Sequence, residues 1–247
     1  MINIFQRNGG DTISSISEKT LELNINENLI NEIRRLGSTF SRAFIYGFSL
    51  RYEGRWGLDS AINLPGTTGF LMAIQYKKHI PWRSKFVKNI WVFEINNNRN
   101  RDQHLKLLVA SIVLGHDNIY YAFPLISSSN IHIISPHFLN RIYFVRVIDF
   151  PPHTFNFTTH LVYIREHQKQ AEVMSREKKT VPLLDAEDLL KRIKFKDVRL
   201  HNVKEIKRKI SREELKQLLK ERGVEEKVIE EFLSRNWKHM FTSGFFA

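Results

Sequence analysis

The sequence contains no cysteine. Disulfides, zinc ribbons and cysteine nucleophiles are therefore excluded. No apolar run approaches the length needed to span a bilayer, so no membrane partner is expected. The N-terminus, Met1-Ile-Asn-Ile-Phe-Gln-Arg-Asn-Gly-Gly, lacks the basic-then-apolar layout of a signal peptide. Together these absences predict a soluble chain in the cytoplasm. No P-loop, dinucleotide glycine motif or Gly-x-Ser-x-Gly elbow occurs, which argues against a P-loop ATPase, a Rossmann enzyme and a common α/β-hydrolase. The ten histidines form no His-Glu-x-x-His pair. His153-Thr154-Phe155 matches one half of a His-x-Thr phosphoesterase pair, but His160 is followed by Leu-Val and supplies no second half. Internal repeats and low-complexity tracts are also missing.

What is present describes a globular protein. The 247 residues can bury a full core, and 42% are hydrophobic and 12% aromatic, with phenylalanine the most abundant ring. Lys+Arg 38 against Asp+Glu 26 leaves a formal charge of +12. Such a surface attracts polyanions, chiefly nucleic acid, by counterion release. A charge kept for solubility is the plainer alternative.

Along the chain, residues 1–20 are polar and read as a loose arm or edge strand. From Asn26, Leu29, Ile30, Ile33 and Leu36 recur at helical spacing, and Gly37 reads as a stop. Phe40 to Leu50 fits a buried strand or a second helix equally. Arg51 to Gly57 is a polar approach to Asp59. Gly57 to Lys77 reads as two apolar strands around a Pro65-Gly66 turn. In Phe70–Lys77 both alternating faces are apolar until the end, which predicts a central strand covered on both sides. Pro81 to Lys88 is a basic loop, Asn89–Ile95 a strand, and Asp102 a cap for a helix over Gln103–Leu114. Asn118–Ile126 is a dense short strand. A helix joining strands of one sheet predicts a crossover and a partly parallel arrangement. Ile131–Ile134, Ile142–Val147 and Leu161–Ile164 also read as β. Composition then shifts. The reading divides the chain into an α/β domain over 1–165 and a charged helical module over 166–247, with helices from Asp185, from the capping box Ser211/Glu214, and from Val224.

Asp59, Gln75 and Lys77 stand out because a hairpin folds a carboxylate, an amide and an ammonium onto one apolar sheet. Placing them there is costly, and that cost points to chemistry. A turn aspartate and a solvated strand end are the plainer readings. The Asp…Gln-x-Lys spacing, preceded by a helix and followed by a helix and strand, resembles the PD-(D/E)XK nuclease superfamily. Gly57-Leu58-Asp59 with Gln75-Tyr76-Lys77 is most like its Mrr-type restriction endonuclease branch, over residues 26–126. The resemblance implies a restriction-endonuclease-like mixed sheet flanked by helices. It implies a Mg²⁺- or Mn²⁺-dependent endonuclease hydrolysing phosphodiester bonds, with DNA as substrate, and it allows a homodimer. By the same resemblance Asp59, the Gln75 side-chain oxygen and the Tyr76 carbonyl would ligate the metal. Lys77 would activate water and stabilise the phosphate. An upstream helical carboxylate would complete the set, with Glu32 the first candidate and Glu53 the second.

For nucleic-acid contact, Arg83, Lys85, Lys88, Arg101 and His104 are the candidates. Trp82 and Arg99 interleave with them, and Gln103 and His104 open the crossover helix at an anion-favouring end. Ordinary capping and a solvated basic surface are the alternatives. A neutral amide in the acidic slot also keeps open a non-catalytic nucleic-acid-binding or assembly protein. A protein–protein adaptor built on the helical tail is a third reading.

Overall fold

The computed structural model describes residues 16–48, 50–66, 70–80, 90–96, 102–113, 118–127, 138–174, 178–195 and 210–241. They form an α/β protein with two sheets and six helices. The expected strand at Ile131–Ile134 lies outside the described residues. No described helix is long and apolar enough to cross a membrane.

The first helix, α1 (Glu18–Arg35), begins eight residues before the apolar pattern that predicted it. Ser17 caps it by accepting from the Thr20 N–H, and Glu18 sits in the first turn, where the helix dipole favours a carboxylate. Its buried stripe is Leu21, Ile25, Leu29, Ile30 and Ile33, joined by two polar residues, Glu22 and Asn26. The ambiguous stretch resolves into strand β1 (Phe44–Gly47), and the polar approach to Asp59 into a short helix α2 (Leu50–Trp56).

The predicted hairpin forms. Strands β2 (Ser60–Asn63) and β3 (Phe70–Tyr76) pair antiparallel, and Gly66 takes a φ of 78° in the turn. β4 (Ile90–Asn96) follows, then helix α3 (Gln103–Val113) and strand β5 (Ile119–Pro124). β5 returns parallel to β3, as the crossover reading required. β6 (Ile142–Arg146) closes a five-stranded sheet of order β1-β2-β3-β5-β6.

β3 is buried almost throughout and covered on both faces. Ala73 shares one core with α3 and Tyr121, while Met72, Ile74 and Tyr76 share the other with α1. β4 departs from the expected single sheet. It pairs antiparallel with β7 (Thr159–Arg165), which continues through β8 (Gln170–Met174) to β9 (Lys178–Pro182). The boundary expected at 165/166 thus falls inside a four-stranded sheet. β8 and β9 were hidden by their charged outer faces. Only Ala171, Val173 and Val181 turn inward to the core.

Three helices end the described chain: α4 (Ala186–Phe195), α5 (Arg212–Glu221) and α6 (Glu226–Phe241). Ser211 accepts from the Glu214 N–H, half of the predicted capping box. α5 and α6 bury Leu215, Leu219, Val228, Ile229 and Phe232 in the same core as α3. They are part of the body, not an appendage. Asn236 of α6 donates to Asp102 at the start of α3, 2.6 Å away.

Gly223, between α5 and α6, has a φ of 76°, and a Cβ there would sit 2.7 Å from the Pro152 Cβ. Both the backbone and the contact disfavour a side chain. Gly223→Ala should therefore lower unfolding free energy by roughly 1–3 kcal/mol, measured by denaturant unfolding. Unchanged stability would contradict this packing of the helical pair on the 151–155 turn.

Candidate active site

Asp59 directly precedes β2 and is fixed through its backbone on both sides. Its N–H donates to the Ile74 carbonyl at 3.0 Å, and its carbonyl accepts from the Phe48 N–H at 2.8 Å. This register sets its side chain beside the end of β3. Asp59 Oδ2 accepts from the Tyr76 N–H at 2.7 Å and from Gln75 Nε2 at 2.8 Å. The same Nε2 donates to the Tyr76 carbonyl at 3.1 Å. Gln75 Oε1 is buried and has no hydrogen-bond partner.

Lys77 extends the parallel pairing through its N–H to the Ala122 carbonyl. Its Nζ donates to Gln103 Oε1 at 2.6 Å and lies 5.6 Å from the centre of the Tyr121 ring. The Gln103 contact depends on Gly57, whose φ is 72°. A Cβ at Gly57 would come within 2.9 Å of Gln103 Cγ, so only glycine lets the first turn of α3 approach this closely.

Around these groups lies a cleft of about 410 Å³ lined by Glu18, Glu53, Gln75, Lys77, Gln103 and Lys106, with Asn96 and Asp102 at its wall. Lys106 spans the wall. Its Nζ pairs with Asp102 Oδ1 at 3.0 Å and donates to the Gly54 carbonyl at 2.8 Å. α2, α3 and, through Asn236, α6 are thereby tied together at the cleft.

The electrostatics follow from burial. Asp59 is pushed up to about 7, first by burial and then by the charges of Glu18 and Glu53, against the Tyr76 N–H and Lys77. Glu18 is raised for the same leading reason. Burial lowers Lys77, opposed by Glu18 and Asp59. Asp59 is therefore poised to exchange a proton near neutrality, beside a Glu18 whose charged form burial disfavours and a Lys77 whose ammonium burial disfavours.

Of the residues singled out in the sequence, the structure brings together Asp59, Gln75, Tyr76 and Lys77, with Glu53 and Gln103. Glu32 does not join them. It pairs with Arg35 at 2.5 Å, and it lies fourteen residues beyond Glu18, about 21 Å along the helix. The α1 carboxylate that reaches the cleft is Glu18. The sequence had placed it in a loose arm, although the Ser17 cap and the Leu21/Ile25 spacing were there to be read. Lys106 and Asp102 were likewise missed as cleft residues.

His104 is also corrected. It is fully enclosed, with Nδ1 against the Tyr121 hydroxyl at 3.0 Å and Nε2 against Thr154 Oγ1 at 3.1 Å. Its ring stacks on Phe155 at 4.4 Å, and burial holds its pKa well below the usual range. It is a neutral core imidazole, unable to meet a phosphate. Thr154, the threonine of the His-x-Thr motif, is its buried partner. Arg83, Lys85, Lys88 and Arg101 lie outside the described residues.

Among the described residues, no group of three or more histidine or carboxylate side chains is gathered to hold a metal. The oxygen donors that are gathered are Asp59 Oδ2 and the Tyr76 carbonyl, and Gln75 Nε2 bridges them. Turning that amide over would bring its orphaned Oε1 to the same point. Three oxygens there would repel one another unless a cation lay among them, so the donor set fits a hard divalent ion such as Mg²⁺ only with the amide turned.

Neither family models, curated proteins nor solved structures yield a match to this chain. What the fold and the cleft define is an α/β protein with a mixed sheet and a carboxylate–lysine site at the end of its central strand.

The raised Asp59 makes stability depend on pH with a definite sign. The folded chain holds a proton up to about 7, whereas the unfolded carboxyl loses it near 3.8. The folded state binds more protons across that window, so this group's contribution falls as pH rises through it. In denaturant titrations at pH 4 to 8, Asp59→Asn should flatten that decline. A pH profile unchanged by Asp59→Asn would refute the assignment.

Proposed function

We propose that this chain is a divalent-metal-dependent nuclease of restriction-endonuclease type that hydrolyses phosphodiester bonds, with DNA as its substrate. The observation that carries the reading is the meeting of Asp59, Gln75 and Lys77 at the end of paired strands: Asp59 bonds the Gln75 amide, and Gln75 and Lys77 line the cleft. Within the main sheet, helix α1, the antiparallel strands β1-β2-β3, helix α3 and the parallel strand β5 support the same fold type, with α2 inserted between β1 and β2 and the β4-β7-β8-β9 sheet as an addition. The charge of +12 supports a polyanionic substrate.

Asp59, the Tyr76 carbonyl and the Gln75 amide oxygen would hold Mg²⁺ or Mn²⁺. When bound, such an ion supplies charge stabilisation on the phosphate and a more acidic water. The chain's own groups do the rest. Lys77 is held by Gln103, which orients its ammonium toward a scissile phosphate, and its burial lowers its pKa and makes the ammonium a readier proton donor than a free lysine. Glu18 and Glu53 place further carboxylate charge at the cleft, where an attacking water would need a proton acceptor. Arg83, Lys85, Lys88 and Arg101 belong to the segments on either side of β4, and Arg101 directly precedes Asp102. They are the proposed backbone contacts. Cutting both strands of a duplex would call for two copies of the chain.

A second reading has its own observation. Gln75 Nε2 already satisfies the two oxygens, so the site holds together with no cation. A protein that binds nucleic acid without cutting it would keep such an arrangement.

Cleavage of plasmid and structured DNA with Mg²⁺ or Mn²⁺ separates the two. Asp59→Ala and Lys77→Ala should each reduce the rate by roughly 10²–10⁴-fold. Activity surviving both substitutions would sink the nuclease reading. Salt-dependent binding with no metal-dependent cleavage would select the second. Gln75→Glu restores an acidic ligand and removes the bridging N–H, so it should tighten Mn²⁺ binding in calorimetry. Weaker binding than wild type would exclude Gln75 as a ligand position.

A further inference from the structure

The buried stripe of α1 contains a residue that hydrophobic packing does not explain. Leu21, Ile25, Leu29 and Ile33 seat the helix on the sheet, but apolar contact is non-directional and tolerates sliding and rotation. Asn26 lies among them, buried. Its Oδ1 accepts from the Tyr76 hydroxyl and from Ser60 Oγ, the latter at 3.3 Å. Ser60 Oγ and the Tyr76 hydroxyl also lie 3.2 Å apart, so the three oxygens share the two hydroxyl protons. Ser60 and Tyr76 are both fully enclosed.

The two sheet partners are neighbours of the site. Ser60 follows Asp59 in the chain, and Tyr76 is the residue whose N–H binds Asp59 Oδ2 and whose carbonyl meets Gln75 Nε2. On α1, Glu22 lies one turn before Asn26, and Glu18 one turn before that, on the side of the cleft. Glu22 is itself buried, and its Oε1 lies 3.9 Å from where a Cβ on Gly47 would stand. Gly47 in turn pairs with Ser60 across β1 and β2. One directional contact thus joins the helix that carries Glu18 and Glu22 to the strands that carry Asp59 and Tyr76.

We propose that Asn26 is a positioning residue: its side-chain oxygen fixes the register of α1 on the sheet and so delivers Glu18 to the cleft and Glu22 to Gly47 at the end of β1. A single buried polar group commonly sets register in this way, because every other register leaves it unpaired. Two hydroxyls share one acceptor here, so a slip by one turn would orphan the Asn26 oxygen and leave one of the two buried hydroxyl protons without an acceptor, the other passing between Ser60 and Tyr76. The effect on cleavage rests on the nuclease reading. The effect on helix register does not.

The absence of native cysteine allows a direct test. Glu22→Cys with Gly47→Cys places two thiols across the α1–β1 contact. Under mild oxidation this pair should form its disulfide roughly tenfold more slowly when Asn26→Leu is added, reflecting the loss of a buried hydrogen-bonded acceptor. Asn26→Asp keeps the acceptor oxygen and should restore the rate. If Asn26→Leu fails to fold, Tyr76→Phe and Ser60→Ala together remove both donors and serve in its place. An unchanged disulfide rate in the variants that fold would overturn the proposal.

The second arm measures cleavage and Mn²⁺ binding. Asn26→Leu should lower kcat with KM for DNA little changed, and its loss should not add to that of Glu18→Gln. Full additivity would overturn the delivery of Glu18. A wild-type chain that neither binds Mn²⁺ nor cuts DNA would defeat the nuclease reading, while the disulfide arm would still decide the role of Asn26.

Discussion

The bond from the Tyr76 N–H to Asp59 Oδ2 is the constraint on which the site depends. It locks a carboxylate to the end of the central strand in a place where water is largely excluded. Burial alone would drive the acid to its neutral form. The Tyr76 N–H and Gln75 Nε2 offset part of that cost by donating to one oxygen, and the outcome is a carboxyl group poised to titrate at about 7. A group in that state responds to small changes in nearby charge, whether a proton or an ion. The Gln75 amide expresses the same balance. Its nitrogen fills the space between two oxygens, at the expense of leaving its own oxygen buried and unpaired.

Directional ties around that point hold the cleft in shape. Lys106 joins α3 to α2, Asn236 joins α6 to Asp102, and Asn26 joins α1 to Tyr76. Each contact links elements far apart in sequence. None is large by itself, since a buried hydrogen bond contributes about 1 kcal/mol net. Their value is geometric, because the apolar cores beneath them specify proximity more than orientation. This is why the C-terminal helices, although rich in charge, belong to the same structure as the site.

Legibility in the sequence followed the range of the interaction. The hairpin could be read because strand alternation and a Pro-Gly turn are local signals, and they placed Asp59 beside Gln75 correctly. The crossover to β5 was legible from element order. Glu18 was passed over because only Leu21 and Ile25 mark the start of the helix in the sequence, and that Glu18 turns toward the cleft is set by the sheet beneath it. Glu32 looked the better carboxylate simply because it stood within the strongest helical pattern. His104 looked exposed at a helix start, yet Tyr121, Thr154 and Phe155 enclose it from three distant parts of the chain. β8 and β9 were misjudged because one inward residue in two, set among Lys and Glu, resembles a solvated charged segment.

The sequence by itself determined the α/β character, the central hairpin and the trio Asp59, Gln75 and Lys77. Periodicity and turn chemistry act over a few residues and need no partner to be recognised. Tertiary structure alone decided that β4 would leave the main sheet for a second one, that Glu18 rather than Glu32 would stand at the cleft, and that His104 would be core. It also decided that the Asp59 pKa rises to about 7 and that the Gln75 amide reaches both Asp59 and the Tyr76 carbonyl. Those properties arise from desolvation and from contacts between segments tens of residues apart, which exist only once the chain has closed around them.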